Sequence, residues 1–169
     1  MKCRNSIKQF LLTSFLLSSQ AALADTPLAD EDELARGKYI VQIGGCHDCH
    51  TPGYPENAGQ VPAENWLTGN TVGFQGPWGT SYPVNLRLYV QTITEAQWIA
   101  RVRKPMLPPM PWFNLRDMTD ADLVAVYRFI DSLGPAGTQA PVAAQPGVKV
   151  STPYFEFVPR NLSAQAAAH

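Results

Sequence analysis

Five consecutive residues, Cys46-His47-Asp48-Cys49-His50, place two thiols and two imidazoles together. Three chemistries use such a cluster. A dithiol redox centre of the C-x-x-C type normally sits near a β-α-β pattern, and none flanks this one. A structural zinc site needs four ligands, often as two separated pairs. The third histidine is His169 at the chain's end, so a second pair is missing.

The remaining chemistry is covalent haem attachment, for which C-x-x-C-H is a signature. Two intervening residues let both thiols reach one porphyrin edge while the chain makes a short helical turn. Each thiol adds to one vinyl group, and the adjacent imidazole ligates the iron. The reading assigns Cys46 and Cys49 as the thioether residues of one haem c and His50 as the proximal ligand. His47, between the thioether positions, is expected to face solvent, as is Asp48.

A histidine for the sixth position is almost excluded, because His47 cannot reach across the ring and His169 lies in an expected loose tail. The available soft ligands are Met106, Met110 and Met118, 56 to 68 residues after His50. A thioether suits haem iron and raises its potential. Met118 has a separate explanation: it precedes Thr119, an N-cap with Asp122 at N3, and pairs with Leu123 as a hydrophobic staple. Met110 lies between prolines in Pro-Pro-Met-Pro-Trp, a loop with fixed φ angles and few donors. Met110 is therefore the expected distal ligand, with Met106 the fallback.

These residues need elements to position them. The chain has 169 residues, enough for one domain. Lys2, Arg4 and Lys8, the apolar run 10–17 and Ala22-Leu23-Ala24 read as a secretory signal cleaved after Ala24. Export predicts a periplasmic location and removes Cys3, leaving two cysteines. Three basic residues and no acidic ones leave with the signal, taking the formal charge from −1 to −4. That balance argues against a nucleic-acid partner.

Residues 31–43 read as a helix, with Asp30 as N-cap, Glu33 at N3 and an apolar face of Leu34, Ile40 and Ile43, Tyr39 beside it. Gly44-Gly45 ends it. Residues 51–93 read as a long irregular wrap, a length that a haem core makes reasonable. Trp66 and Trp78 are candidates for the haem wall or for indole hydrogen bonds near a propionate, with plain core filling an equal alternative. Thr94 with Gln97 forms a capping box for a helix to about 103, with Trp98 and Val102 on one face. Residues 120–133 form the last helix, its stripe Leu123, Val126, Tyr127 and Ile130 packing on the first. Residues 136–169 form an Ala/Pro-rich tail, partly ordered at most. Within it the Tyr154–Val158 cluster lies back on the domain, and the final residues 161–169 are expected to be poorly ordered.

Three stretches, "ARGKYIVQIGGCHDCHTPG", "GPWGTSYPVNL" and "LPPMPWFNLRDMTDADLVAVYRFIDSLGP", resemble the single-haem class I cytochromes c of bacteria. They are similar to the haem modules in cytochrome subunits of periplasmic sugar, alcohol and aldehyde dehydrogenases. The resemblance covers about residues 35–135 and implies a cytochrome c domain at 25–135. It implies an all-α class I fold, with few helices wrapped around one covalent haem and long irregular loops. It places the axial thioether at Met110. It makes Gly37 the point of close crossing between the terminal helices, with Tyr127 as packing partner, and matches Asn85 to the loop asparagine. After Asn85 the sequence departs from those modules: Arg87 and a short "LYVQT" replace a threonine and a longer glycine-containing insertion. Those subunits usually carry three modules; this chain has one motif.

The function expected is a one-electron carrier, not an enzyme, with no open coordination site and no small-molecule substrate. Its partners are periplasmic or membrane redox proteins: a dehydrogenase, a respiratory complex or an oxidase. Arg101, Arg103 and Lys104, before the methionine loop, are candidates for steering an acidic partner. The alternative is a haem with an open or labile sixth site, peroxidase-like or gas-sensing.

Overall fold

The computed structural model describes residues 27–159. Residues 1–26, including the proposed signal and Ala24, and the last residues with His169 lie outside the described part. Among the described residues are six helices, one 3-10 turn and one small sheet. The helices are α1 (Pro27–Ile43), α2 (Cys46–His50), α3 (Leu86–Val90), α4 (Glu95–Val102), α5 (Trp112–Asp117) and α6 (Asp120–Ser132). None is long and apolar enough to cross a membrane.

Helix α1 begins earlier than expected. Pro27 opens it, where the missing N–H costs nothing and φ is already helical; position 30, the expected N-cap, falls inside the helix span. Its core face is also different. Gly37, Ile40 and Val41 are buried, whereas Tyr39 and Ile43 are more than half exposed. A glycine at the centre of the stripe carries no hydrophobicity, so the apolar pattern misplaces the face. Gly45, with φ 68°, ends the run in the left-handed region.

Helices α1 and α6 make the main interhelical contact. Ile40 and Val41 meet the α6 stripe Leu123, Val126, Phe129 and Ile130 in one buried cluster. A side chain at Gly37 would lie 2.0 Å from the Ala125 carbonyl oxygen and 2.7 Å from Phe129 Cβ. The crossing is thus at Ala125 and Phe129; Tyr127 instead turns away and donates its hydroxyl to Ile93 O at 2.9 Å. Arg36–Asp122 and Arg128 with Glu33 and Glu95 link the exposed rims. Such exposed pairs contribute at most about 1 kcal/mol each.

The ends of α4 and α6 follow the sequence rules. Thr94 and Gln97 form a reciprocal capping box. Thr119 accepts from Asp122 N–H at 3.1 Å. Gly134, at φ 67°, closes α6. The open carbonyls there are met by the buried Arg87 guanidinium, which donates to Gly134 O at 2.6 Å, to Glu64 O at 2.9 Å and to Leu133 O. A cation on a helix C-terminus suits both the orphan carbonyls and the macrodipole.

The expectation of a purely helical fold is corrected by a three-stranded sheet in the order β2-β1-β3. Strand β1 (Gly73–Gly76) turns through Pro77-Trp78 into antiparallel β2 (Gly79–Ser81), pairing Phe74 with Ser81. Strand β3 (Tyr154–Glu156) returns from the far end and pairs parallel to β1. Thr80 and Ala144 exchange two main-chain hydrogen bonds of 2.9 Å. Strands of three or four residues rich in Gly, Gln and Thr are too short for alternation to show. The expected irregular wrap thus contains this hairpin and α3, whose N-cap Asn85 accepts from Leu88 N–H at 3.0 Å. The buried Asn85 amide also donates to Ala136 O at 2.7 Å and Thr138 O at 3.1 Å.

Candidate functional site

The motif folds as α2, a single helical turn after the Gly44-Gly45 break. Cys46 and Cys49 are both free thiols. Burial pushes the Cys46 thiol up to about 11 and raises Cys49 too, with the Asp48 carboxylate adding to both. A reactive dithiol needs the opposite shift. Among the described residues no group of three or more His, Cys, Asp or Glu side chains could hold a metal ion. The upward thiol shifts run against dithiol redox chemistry.

His50 is buried, and its Nδ1 lies 2.8 Å from Val84 O. A carbonyl only accepts, so Nδ1 carries the proton and Nε2 keeps its lone pair. Burial lowers the pKa of this ring, which favours the neutral, ligating form. This carbonyl partner is the kind of support that orients a ligating histidine.

A cavity of about 360 Å³ adjoins these residues. Cys46, Cys49 and His50 form part of its wall. Met106, Met110 and Met118 line it too, from the proline loop and the start of α6's approach. Helices α3, α4, α5 and α6 contribute Leu86, Trp98, Val102, Leu115, Val126 and Ile130. The hairpin contributes Phe74 and Ser81, and the segment after Pro135 contributes Ala143. A chamber of apolar side chains with two thiols, one neutral imidazole and thioethers fits a tethered porphyrin and its iron.

Several sequence expectations change here. Trp66 and Trp78 do not line the cavity; their indole N–H groups donate to Val61 O at 2.8 Å and Phe74 O at 3.3 Å. Trp98 takes the wall position, its N–H held by Leu123 O at 3.0 Å. Its placement one helical turn before Val102 is the signal that could have found it. Met118 lines the cavity as well as preceding the Thr119 cap. Arg103 is not available for steering, because it holds Arg116 O, Met118 O and Asp120. Arg101 and Lys104 are exposed, and Arg101 borders the cavity.

His47 is the largest correction. It is fully buried, not solvent-facing; Asp48 is exposed as expected. The His47 ring stacks on Tyr54 at 4.6 Å and meets the edge of Trp66 at 5.0 Å. Its Nδ1 bonds Thr51 Oγ1 at 2.8 Å, and that oxygen also accepts Leu67 N–H at 2.8 Å. Nε2 has no hydrogen-bond partner among the described residues. The helical turn decides this: His47 is on the side of α2 facing the 51–67 loop, a contact no local pattern reveals.

Burial lowers the His47 pKa, so the folded protein prefers the neutral ring. The unfolded chain takes up the extra proton below about pH 6.5. The associated stability is therefore present above that pH and lost as pH falls through it. In thermal unfolding from pH 5 to 8, wild type is expected to lose stability toward acid more steeply than His47→Phe. Equal slopes would show that His47 is not held neutral.

Comparison with known proteins agrees with this geometry. The family profile of cytochrome c matches residues 34–134. The cytochrome c subunit of a quinone-dependent alcohol dehydrogenase from Gluconacetobacter polyoxogenes is 27% identical over 131 residues, 71% of this chain and 26% of its own. The corresponding protein from Komagataeibacter europaeus matches equally. A component of the nicotinate dehydrogenase of Pseudomonas putida is 27% identical over 121 residues, 64% of this chain and 9% of its own. The chain thus matches about a quarter or less of the length of these relatives. No solved structure is a significant match.

Proposed function

Because the chain belongs to the cytochrome c family and carries haem c on its C-x-x-C-H motif, we propose that it is a periplasmic one-electron carrier of the class I type with His50 and Met110 as axial ligands. The observation that carries this reading is the shared cavity: Cys46, Cys49, His50 and the methionine loop all border it. The bound haem supplies the reversible one-electron chemistry of its iron.

The chain's own residues do the rest. Cys46 and Cys49 tether the group, and Val84 O fixes the His50 tautomer. The apolar wall excludes water and favours the less charged, reduced centre. With His50 and Met110 holding the iron, the group would keep no open position for a substrate. Met110 is favoured over Met118, whose backbone is fixed between α5 and the α6 cap. The expected export signal supports a periplasmic setting, and the named relatives support a dehydrogenase as partner.

The test is the visible spectrum of holoprotein, oxidised and reduced, with and without carbon monoxide. A weak far-red sulfur–iron band in the oxidised form, with a reduced form indifferent to carbon monoxide, is expected. Rapid carbon monoxide binding by the unmutated protein would replace this reading with the open-site alternative.

A further inference from the structure

The loop that carries Met106 and Met110 has little means of holding itself. Residues 105, 108, 109 and 111 are prolines, so four of seven positions have no N–H to donate. Inside the loop, Met110 N–H reaches Leu107 O at 3.3 Å; Trp112 N–H reaches Met110 O at 2.8 Å at the exit into α5. Among the described residues, one hydrogen bond joins residues 105–111 to a distant part of the chain. The Ser81 hydroxyl donates to Pro108 O at 2.5 Å.

Ser81, by contrast, is firmly placed. It lines the cavity from β2 and is only 9% exposed. Its strand is paired on one side to β1 and on the other to Ala144. A side chain at Gly79 would sit 2.1 Å from Ala144 O, so strand and return segment are in direct backbone contact. The Ser81 oxygen is also 3.4 Å from Phe74 O, but a hydroxyl has one proton and the shorter contact takes it.

We infer that Ser81 is a positioning residue for the axial-ligand loop, its hydroxyl holding Pro108 O and, two residues on, the Met110 thioether. The segment after Pro135 acts at one remove, by fixing β2. This rests on Met110 being the sixth ligand. Loss of one buried hydrogen bond shifts a local opening equilibrium about tenfold.

The experiment uses holoprotein: wild type, Ser81→Ala, Ser81→Thr and Ser81→Cys. Two quantities are read: the rate of carbon monoxide binding to the reduced form and the thermal loss of the sulfur–iron band in the oxidised form. Ser81→Ala is expected to bind carbon monoxide about tenfold faster and to lose the band at lower temperature. Ser81→Thr, which keeps the hydroxyl, should restore wild-type behaviour within about twofold; Ser81→Cys, a weaker donor of similar size, should fall between. If Ser81→Ala fails to fold, the Thr and Cys variants carry the comparison. A wild type that resists carbon monoxide, with Ala and Cys variants indistinguishable from it, overturns the inference. A wild type that itself binds carbon monoxide rapidly overturns the ligand assignment instead, before any variant is compared.

Discussion

Met110→Ala is expected to open the sixth coordination position while leaving the haem attached. Cys46 and Cys49 are on α2, apart from the proline loop, so removing the thioether does not touch the covalent links. The oxidised protein should lose its far-red sulfur–iron band, and the reduced protein should bind carbon monoxide where wild type does not. Losing a soft ligand that favours the ferrous state should also lower the potential, on the order of 0.1–0.2 V out of the ~0.8 V that axial ligation spans. Met106→Ala is the paired control. It borders the same cavity and is half-buried, so it should cost some packing but keep band, potential and resistance to carbon monoxide. A reversal of the two results would move the ligand to Met106. If both variants behave as wild type, the sixth ligand is not on this loop.

Gly37→Ala is expected to be strongly destabilising. The added carbon would lie 2.0 Å from Ala125 O, a backbone atom inside α6 that no rotamer change can move. Helices α1 and α6 would have to separate, loosening the cluster of Ile40, Val41, Leu123, Val126, Phe129 and Ile130. Overpacking of this kind costs about 3 kcal/mol or more. For a domain of this size that is a fall in Tm of about 10 °C. Alanine's better helix propensity, about 1 kcal/mol over glycine, offsets only part of it. Gln42→Ala, on the exposed side of the same helix, should change stability by less than about 0.5 kcal/mol. A Gly37→Ala protein that melts within a few degrees of wild type would show that the crossing can relax.

What the sequence determined by itself was local chemistry and local helix punctuation. The spacing of Cys46, Cys49 and His50 names haem because two thiols and an adjacent imidazole at that interval suit one porphyrin edge. Thr94 with Gln97, and Thr119 before α6, mark helix starts because capping bonds span only three residues. Gly134-Pro135 marks a stop for the same reason of range. The tertiary structure decided whatever depends on contacts between distant residues. The buried stripe of α1 centres on Gly37, which the family resemblance placed at the helix crossing but hydrophobic periodicity missed, because its value is absence of a side chain. His47 is in the core because of where the 51–67 loop passes. Arg103 is bound by a helix that follows it, and Trp98 rather than Trp66 or Trp78 forms the cavity wall. The pairing of residues 154–156 with 73–75 spans about eighty positions. That pairing, Ala144 against Gly79, and Ser81 against Pro108 are backbone and hydroxyl contacts with no pattern in the local sequence. Only the fold brings them together, and with them the support for the methionine loop.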